Sequence, residues 1–397
     1  MSAFSQQEYD RRLRRTRKRL RDRDLDGLLV SIPENINYLT GYAVWSHHTP
    51  QCLLVPAAED RLPLLYLREF DERGAEYTTW LPDGRIRSYG DVRGYPDAYV
   101  AGERPHPMAT TADLFEELGL DGGRVGLEMN GFYFDAQSYE EVTKAVDADF
   151  QNASLLVKRV RAVKSDAELQ YMREAAELTR LGMDAARDAI EPGVAEAEVA
   201  AAIYEATVAG TDDFGGEFPA TPPLLPTGEK AGIPHFWWSA DDHIAPGDPV
   251  MMEVCGCRHR YHVPITRTVY AGDPPAAARE TVELLRAGYE AALDAIEPGV
   301  TCETVERAWR AALPMDIDAH EARIGYAMGL GISPGWLEDA ANFRMDDETV
   351  LEPGMTFHMF PNPTAWLDVS LELSETVVVT EDGAEPFVDY PFELFVA

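Results

Sequence analysis

The sequence is poor in cysteine and lacks long apolar runs, and each shortage excludes a class of protein. Its four cysteines, Cys52, Cys255, Cys257 and Cys302, are too few and too scattered for a disulfide framework or a four-thiolate zinc site. No apolar run reaches the roughly 18 residues that a membrane-spanning helix needs. The basic residues 11–23 lack the apolar core of a secretory signal. We therefore expect a cytoplasmic protein that does not associate with membranes.

Positive charge, and lysine above all, is also scarce. The chain has 69 acidic and 35 basic residues, of which only five are lysines, and its net charge is -34. A field this negative repels phosphate backbones, so nucleic acid is excluded as a partner. Excess carboxylate is typical of a protein adapted to a salt-rich cytoplasm, because the screening length falls to about 3 Å at 1 M salt.

The length of 397 residues, with 45% hydrophobic residues, predicts a globular chain of two domains. Short apolar runs alternate with helical patterns up to about residue 150, which predicts a small α/β domain over residues 1–155. Ser165 followed by Glu168 forms a capping box and predicts that a long helix begins there. This helix opens a second predicted domain, residues 156–397, so the fold class is α/β (α+β).

Six short motifs carry a resemblance to a known family. Between residues 161 and 383 they read, in order, RAVKSDAEL, IPHF, GDPV, YHVPITRT, EPGMTF and SETVVVTEDG. Their identity and order resemble the creatinase/prolidase superfamily. The resemblance implies a small N-terminal creatinase-type domain followed by a C-terminal pita-bread domain. It also implies a homodimer, since related enzymes are commonly dimers.

The resemblance locates five positions at which metal-using members of that superfamily bind two metal ions. In this chain those positions hold Glu253, Pro264, Tyr326, Phe360 and Ser374. Proline and phenylalanine offer no side-chain ligand, while tyrosine and serine are poor ligands for hard divalent ions. We therefore predict a site that uses neither a metal ion nor another cofactor.

Chemistry without a metal favours a substrate that is already cationic at its reacting carbon, such as an amidinium or a guanidinium. A planar cation of this kind pairs well with a carboxylate. Glu253 is predicted either to anchor the cation or to attack its carbon, and the sequence leaves these two roles open. His235 stands where the superfamily keeps a proton-transferring histidine, so it is the predicted acid-base partner of Glu253.

Five further residues are predicted to bind the substrate. Glu372 alternates with Ser374, so both are expected to point into the site, while Glu375 faces the other side of the strand. Glu372 is placed to hold the second nitrogen of the cation, although a salt bridge at the rim is an equal alternative. Tyr326 and Phe360 are expected to form an apolar wall. His358 either makes a second polar contact or points away from the side of Phe360. Trp45 either closes the site, from the first domain or from a partner subunit, or is an ordinary core aromatic.

Longer similarities refine the expected activity. The segments GGEFPATPPLLPTG, PHFWW and IGYAMGLGISPGW are similar to the metal-free branch of the superfamily, which includes hydrolases of creatine and ectoine. This implies hydrolysis of the cyclic amidine of ectoine to N-acetyl-2,4-diaminobutyrate. Two alternatives remain open: a creatinase-like hydrolase of another amidino or guanidino compound, and a non-catalytic protein that binds such zwitterions. Arg258, Arg260 and His262 could bind the substrate carboxylate, but surface ion pairs are the favoured interpretation.

Overall fold

The fold is described from a computed structural model of the chain. The described residues are 3–90, 104–131, 134–233, 235–314, 323–361 and 371–397. The chain divides into two compact units, Met1–Arg161 and Ala162–Ala397. The division predicted between residues 155 and 156 falls immediately before helix Leu156–Arg161, which the structure includes in the first unit.

The first unit is built around a mixed sheet. Its elements are α1 (Gln6–Arg21), β1 (Gly27–Val30), α2 (Pro33–Thr40), β2 (Cys52–Pro56), β3 (Leu64–Arg68), α3 (Glu72–Thr78), β4 (Ile86–Tyr89), α4 (Ala112–Leu118), β5 (Arg124–Leu127), α5 (Ala136–Ala145), β6 (Asp149–Asn152) and α6 (Leu156–Arg161). In the described part of the chain, six strands form this sheet in the order β4-β3-β2-β1-β5-β6. Strands β1 and β2 are completely buried, because their apolar residues cover both faces.

The second unit combines a larger sheet with long helices. Its elements are α7 (Asp166–Ala189), α8 (Glu196–Ala209), β7 (Pro249–Arg258), β8 (Tyr261–Tyr270), α9 (Ala276–Asp294), α10 (Cys302–Ala312), β9 (Arg323–Ile332), β10 (Gly335–Arg344), β11 (Thr356–Met359), β12 (Glu375–Val379), β13 (Ala384–Pro386) and β14 (Phe395–Val396). Among the described residues, the path β13-β12-β11-β9-β8-β14 forms one sheet, with β10 paired to β9 and β7 paired to β8. The main apolar core includes Trp309, Phe343 and Phe357.

The start of α7 confirms the predicted capping box. Ser165 Oγ accepts a hydrogen bond from the Glu168 backbone N–H at 3.3 Å, and the Glu168 carboxylate accepts one from the Ser165 backbone N–H at 2.8 Å. The same carboxylate accepts the Tyr261 hydroxyl at 2.8 Å. One buried glutamate therefore both begins the helix and ties it to β8.

The hairpin formed by β7 and β8 sets the geometry on which the site depends. Its register pairs Glu253 with Thr266 and Cys255 with Pro264. Since successive side chains of a strand point to opposite faces, these four residues share one face. The other face packs against α7: a Cβ on Gly256 would lie 2.2 Å from the carbonyl oxygen of residue 175. Glu253 is consequently directed away from the helix.

Among the described helices, none combines the length and the apolar character required to cross a lipid bilayer.

Candidate active site

Two strand pairings bring polar side chains to the face of the hairpin that carries Glu253. Tyr326 of β9 lies directly opposite His358 of β11. Ser374, just before β12, forms a β-bridge with Thr266 of β8. Residues that are up to 108 positions apart in the chain thus meet on one surface of the sheet.

A continuous chain of buried hydrogen bonds crosses this surface. Trp336 Nε1 donates to the Tyr326 hydroxyl at 3.0 Å, and that hydroxyl lies 3.0 Å from His358 Nδ1. His358 Nε2 lies 2.7 Å from Ser374 Oγ, which in turn donates to Thr266 Oγ1 at 2.8 Å. All five side chains are buried. The site therefore has a fixed polar wall of neutral groups.

The protonation of His358 follows from its surroundings. Burial, with a smaller contribution from the positive charge of Arg323, lowers the pKa of His358 to about 3, so the imidazole is neutral at physiological pH. A neutral imidazole has one donor and one acceptor. Because Ser374 donates onward to Thr266, it accepts from His358 Nε2–H, and His358 Nδ1 accepts from Tyr326. The hydrogen bonds then all run in one direction, an arrangement in which each strengthens the next.

Two carboxyl groups, those of Glu253 and Glu372, determine the charge of the site. Burial raises the pKa of Glu253 to about 8, and the charge of Glu372 raises it as well. Burial and the charge of Glu253 also raise the pKa of the Tyr326 phenol. Thr268 Oγ1 holds the backbone of Glu372 by accepting from its N–H at 3.0 Å and donating to its carbonyl at 3.1 Å. Without a ligand, Glu253 is therefore mostly protonated at neutral pH, and a bound cation favours its ionised form.

The donor set does not fit a two-metal centre. At the five positions implied by the superfamily, Pro264 and Phe360 have no donor atom, while Tyr326 and Ser374 are hydrogen-bonded to the same histidine. Glu253 is the single acid of the five. Within the described ranges, no group of three or more histidine, cysteine, aspartate or glutamate side chains is placed to hold a metal ion.

Ser374, just before β12, and Glu375, the first residue of β12, face opposite ways, as the alternation of side chains predicts. Ser374 points into the hydrogen-bonded wall, while the carboxylate of Glu375 forms a buried ion pair with Arg267. The Arg267 guanidinium also donates to the backbone carbonyls of Thr266 and Ser374 at 2.8 and 2.7 Å. Glu375 is thus a structural residue behind the site.

The other predicted site residues differ in how closely the structure associates them with this wall. The Phe360 ring lies 5.5 Å from the Tyr326 ring, so the two residues of the predicted apolar wall are neighbours, but the Tyr326 hydroxyl belongs to the polar wall because it is hydrogen-bonded to His358 and Trp336. His235 is exposed, with a left-handed backbone at φ 61°, and no hydrogen bond or ion pair between described residues joins it to Glu253. Pro234 of the same motif lies outside the described residues.

Trp45 belongs to the first unit and is 73% exposed. The roles of His235 and Trp45 stay predictions.

Three polar neighbours were not singled out from the sequence. Thr266 could have been found, because it lies two residues after Pro264 and so shares its face. Trp336 gave no signal, since its approach to Tyr326 depends on an irregular register between β9 and β10. Arg323 lies three residues before Tyr326, a spacing that places two side chains on opposite faces of a regular strand. Its guanidinium carbon nevertheless lies 4.9 Å from the centre of the Tyr326 ring.

Arg258, Arg260 and His262 of the hairpin bind other groups of the protein. Surface ion pairs were the favoured interpretation from the sequence, and the structure shows them for the two arginines. Arg258 pairs with Glu174 at 2.8 Å, and Arg260 lies 3.5 Å from Glu217. His262 is buried, and its Nε2 accepts the backbone N–H of residue 220 at 2.9 Å.

Comparison with known proteins identifies the family. Residues 170–381 match metallopeptidase family M24, and residues 12–163 match the creatinase/prolidase N-terminal domain. The chain belongs to the M24 family. This confirms the resemblance on which the five metal positions were located. The chain therefore has the framework of a metallopeptidase family with a donor set that does not fit the metals.

Relatives of known name support a hydrolase. The chain is 36% identical to ectoine hydrolase of Halomonas elongata, over 99% of this chain and 98% of that protein. It is 40% identical to an uncharacterized hydrolase/peptidase of Sinorhizobium fredii, with the same coverage of 99% and 98%. This M24 protein is accordingly a hydrolase of the creatinase/prolidase type.

Solved structures confirm the predicted fold. The chain superposes on the prolidase of Thermococcus sibiricus with a TM-score of 0.78 at 18% identity, covering 98% of this chain and 99% of that one. Dipeptidase PepE of Mycobacterium ulcerans gives 0.76 at 23% identity, covering 99% of each chain. The M24 chain thus consists of a creatinase-type N-terminal domain and a C-terminal pita-bread domain.

Proposed function

We propose that this protein is a metal-independent hydrolase that opens the cyclic amidine of ectoine to N-acetyl-2,4-diaminobutyrate. The observation that carries the proposal is the pairing of two interacting carboxyl groups, Glu253 and Glu372, with a wall of neutral hydrogen-bonding groups where metal ligands would be expected. The similarity to ectoine hydrolase of Halomonas elongata over nearly the whole chain supports this substrate.

The electrostatics of Glu253 suit a cationic substrate. A protonated cyclic amidine is a planar cation, and a carboxylate can pair with its N–H groups through charge-assisted hydrogen bonds. Arrival of the cation stabilises the ionised form of Glu253, whose pKa in the empty site is about 8. Binding near neutral pH is therefore expected to release a proton from Glu253.

The reaction requires one water, and both protons of that water end on the leaving nitrogen. The oxygen of water forms a bond to the amidinium carbon and loses one proton, the bond from that carbon to one ring nitrogen breaks, and the two protons of the water pass to the leaving nitrogen while the oxygen becomes the amide carbonyl. The products are an amide and an ammonium group, so the positive charge is conserved. Glu253 either anchors the cation during this sequence or first attacks the carbon and is then released by water. His235 is the proposed carrier of the proton.

The proposal is tested by incubating purified protein with ectoine and measuring N-acetyl-2,4-diaminobutyrate by mass spectrometry, with and without EDTA. We expect turnover that EDTA does not reduce and that manganese does not increase. Turnover that is lost with EDTA and restored by manganese would refute metal independence. Creatine and an Xaa-Pro dipeptide, assayed in parallel, test the two neighbouring activities.

The Glu253→Gln variant tests the site itself. It removes the charge while keeping the size of the side chain, so turnover should be lost while the thermal transition is retained. The matched control is Glu381→Gln, the same substitution at an exposed position after β12. If ectoine binds to the wild-type protein but remains intact, the protein is a non-catalytic zwitterion-binding protein and the proposed reaction is wrong.

A further inference from the structure

We infer that Arg323 binds the carboxylate of a zwitterionic substrate and so fixes its orientation, with the cation at Glu253 and the carboxylate at the Arg323 edge of the site. The inference rests on the proposed function, because it takes the Glu253 site as the place where the substrate binds. It assigns a specificity residue that the family resemblance did not indicate.

The position of Arg323 is the first support. Its guanidinium carbon lies 4.9 Å from the centre of the Tyr326 ring and 5.8 Å from that of Phe360. Tyr326 is hydrogen-bonded to His358, so the arginine lies directly against the polar wall. Its positive charge acts on both of these residues, lowering the pKa of each.

The bonding of Arg323 is the second support. Its hydrogen bond between described residues is a long one, from Nη1 to Asn342 Oδ1 at 3.3 Å, and no carboxylate of the described chain lies within ion-pair distance. The side chain is exposed at the first residue of β9. Most of its donors therefore remain available for a ligand.

The other cations described near the site are already committed. Arg267 is fully buried, and its donors are directed to backbone carbonyls and Glu375. The Lys164 ammonium is buried in an ion pair with Glu338 at 2.6 Å. The hairpin arginines have the partners given above, and His358 is neutral. Of these described cations, Arg323 is consequently the one that a substrate carboxylate can reach without breaking an existing ion pair.

The chemistry of the side chain defines the substrate class. A guanidinium presents a rigid fork of N–H donors that matches the two oxygens of a carboxylate, and stacking over an aromatic ring leaves its edge available. Glu253 and Glu372 at one end and Arg323 at the other make the site bipolar. It would select small molecules that carry both a planar cation and a carboxylate, and discriminate against the same cation when the carboxylate is neutralised.

The test compares binding of ectoine with binding of its carboxamide, in which the carboxylate is neutral. Dissociation constants are measured by calorimetry for the wild-type protein, Arg323→Gln and Arg323→Lys. Arg344→Gln is the matched control, because Arg344 is the exposed register partner of Arg323 on β10 and loses the same charge. Thermal transitions establish that each variant is folded.

We expect Arg323→Gln to weaken binding of ectoine by about 10- to 100-fold, the loss typical of a charge-assisted hydrogen bond, and to change carboxamide binding less than twofold. Arg323→Lys should be intermediate, since it keeps the charge but loses the fork, and Arg344→Gln should match the wild type. KM for ectoine should rise with little change in kcat.

Equal weakening of both ligands by Arg323→Gln, or an equal effect of Arg344→Gln, would overturn the inference. Failure of the proposed function gives a different result, because then neither the wild type nor any variant would turn over ectoine. Binding of ectoine without turnover, with discrimination that depends on Arg323, would retain the inference while refuting the hydrolase. Turnover of ectoine together with an unchanged dissociation constant in Arg323→Gln would retain the hydrolase and refute the inference about Arg323.

Discussion

The protonation of Glu253 gives a quantitative prediction for the pH dependence of the reaction. Its pKa in the free protein is about 8, mainly because the carboxyl group is buried. Only the ionised form can pair with, or attack, a cationic substrate, so kcat/KM should follow the ionised fraction in the free enzyme. With a pKa of 8 that fraction is about 9% at pH 7 and about 91% at pH 9, so kcat/KM should rise about tenfold over this range.

The Glu372→Gln variant separates the two causes of the raised pKa. Removing the charge of Glu372 removes a like-charge repulsion that opposes ionisation of Glu253, so the midpoint of the profile should move to lower pH. Burial remains and is the larger cause, so the midpoint should stay above the ordinary value of 4.5. Glu381→Gln changes the net charge equally at an exposed site and should leave the midpoint unchanged.

The assay is kcat/KM for ectoine between pH 5 and pH 10 at constant ionic strength, with the product measured by mass spectrometry. A direct titration of the Glu253 carboxyl by carbon-13 NMR checks that the kinetic midpoint belongs to this residue. A wild-type midpoint near 4.5, or an upward movement in Glu372→Gln, would refute the electrostatic account of the site.

Three further predictions concern stability and the wall of the site. Because the pKa of Glu253 is higher in the folded than in the unfolded chain, its contribution to stability falls as pH rises from 4.5 to 8. Glu253→Gln should therefore stabilise the fold more at pH 8 than at pH 5, by on the order of 3 kcal/mol in chemical denaturation. Gly256→Ala should lower the free energy of unfolding by about 1–3 kcal/mol, since its Cβ would overlap a backbone oxygen of α7. The control is Gly335→Ala, because there is open space around the Cβ at that position. An equal effect of both substitutions would contradict this packing. Tyr326→Phe should cost about 1–3 kcal/mol in the same measurement, because the buried indole N–H and imidazole nitrogen lose their shared partner, and an unchanged midpoint would show that the hydrogen-bond chain is not formed.

The sequence predicted the parts of the fold that depend on local patterns. The capping box at Ser165 marked the start of α7, and period-two alternation separated Ser374 from Glu375 at the end of the chain. Motif order identified the family and located the five former metal positions. A capping box, side-chain alternation and a sequence motif each depend on residues that are close in the chain. They can therefore be recognised without knowing which strands pair.

The parts that could not be predicted depend on contacts between distant strands. The sequence left the direction of His358 open, because only the pairing of β9 with β11 places it opposite Tyr326. Arg323 was missed because the irregular pairing of β9 with β10 defeats simple alternation. His235 lies in an irregular segment, where a motif indicates that a residue is important but does not indicate where its side chain points.

The alternation of side chains at the start of β12 has an evolutionary consequence. Ser374 is part of the site, whereas its neighbour Glu375 is bound to Arg267 behind it. Substitutions on the first face can alter the chemistry while the ion pair on the second preserves the pairing of β8 with this strand. Ligand positions on the first face can therefore change to residues that bind no metal while the chain remains folded.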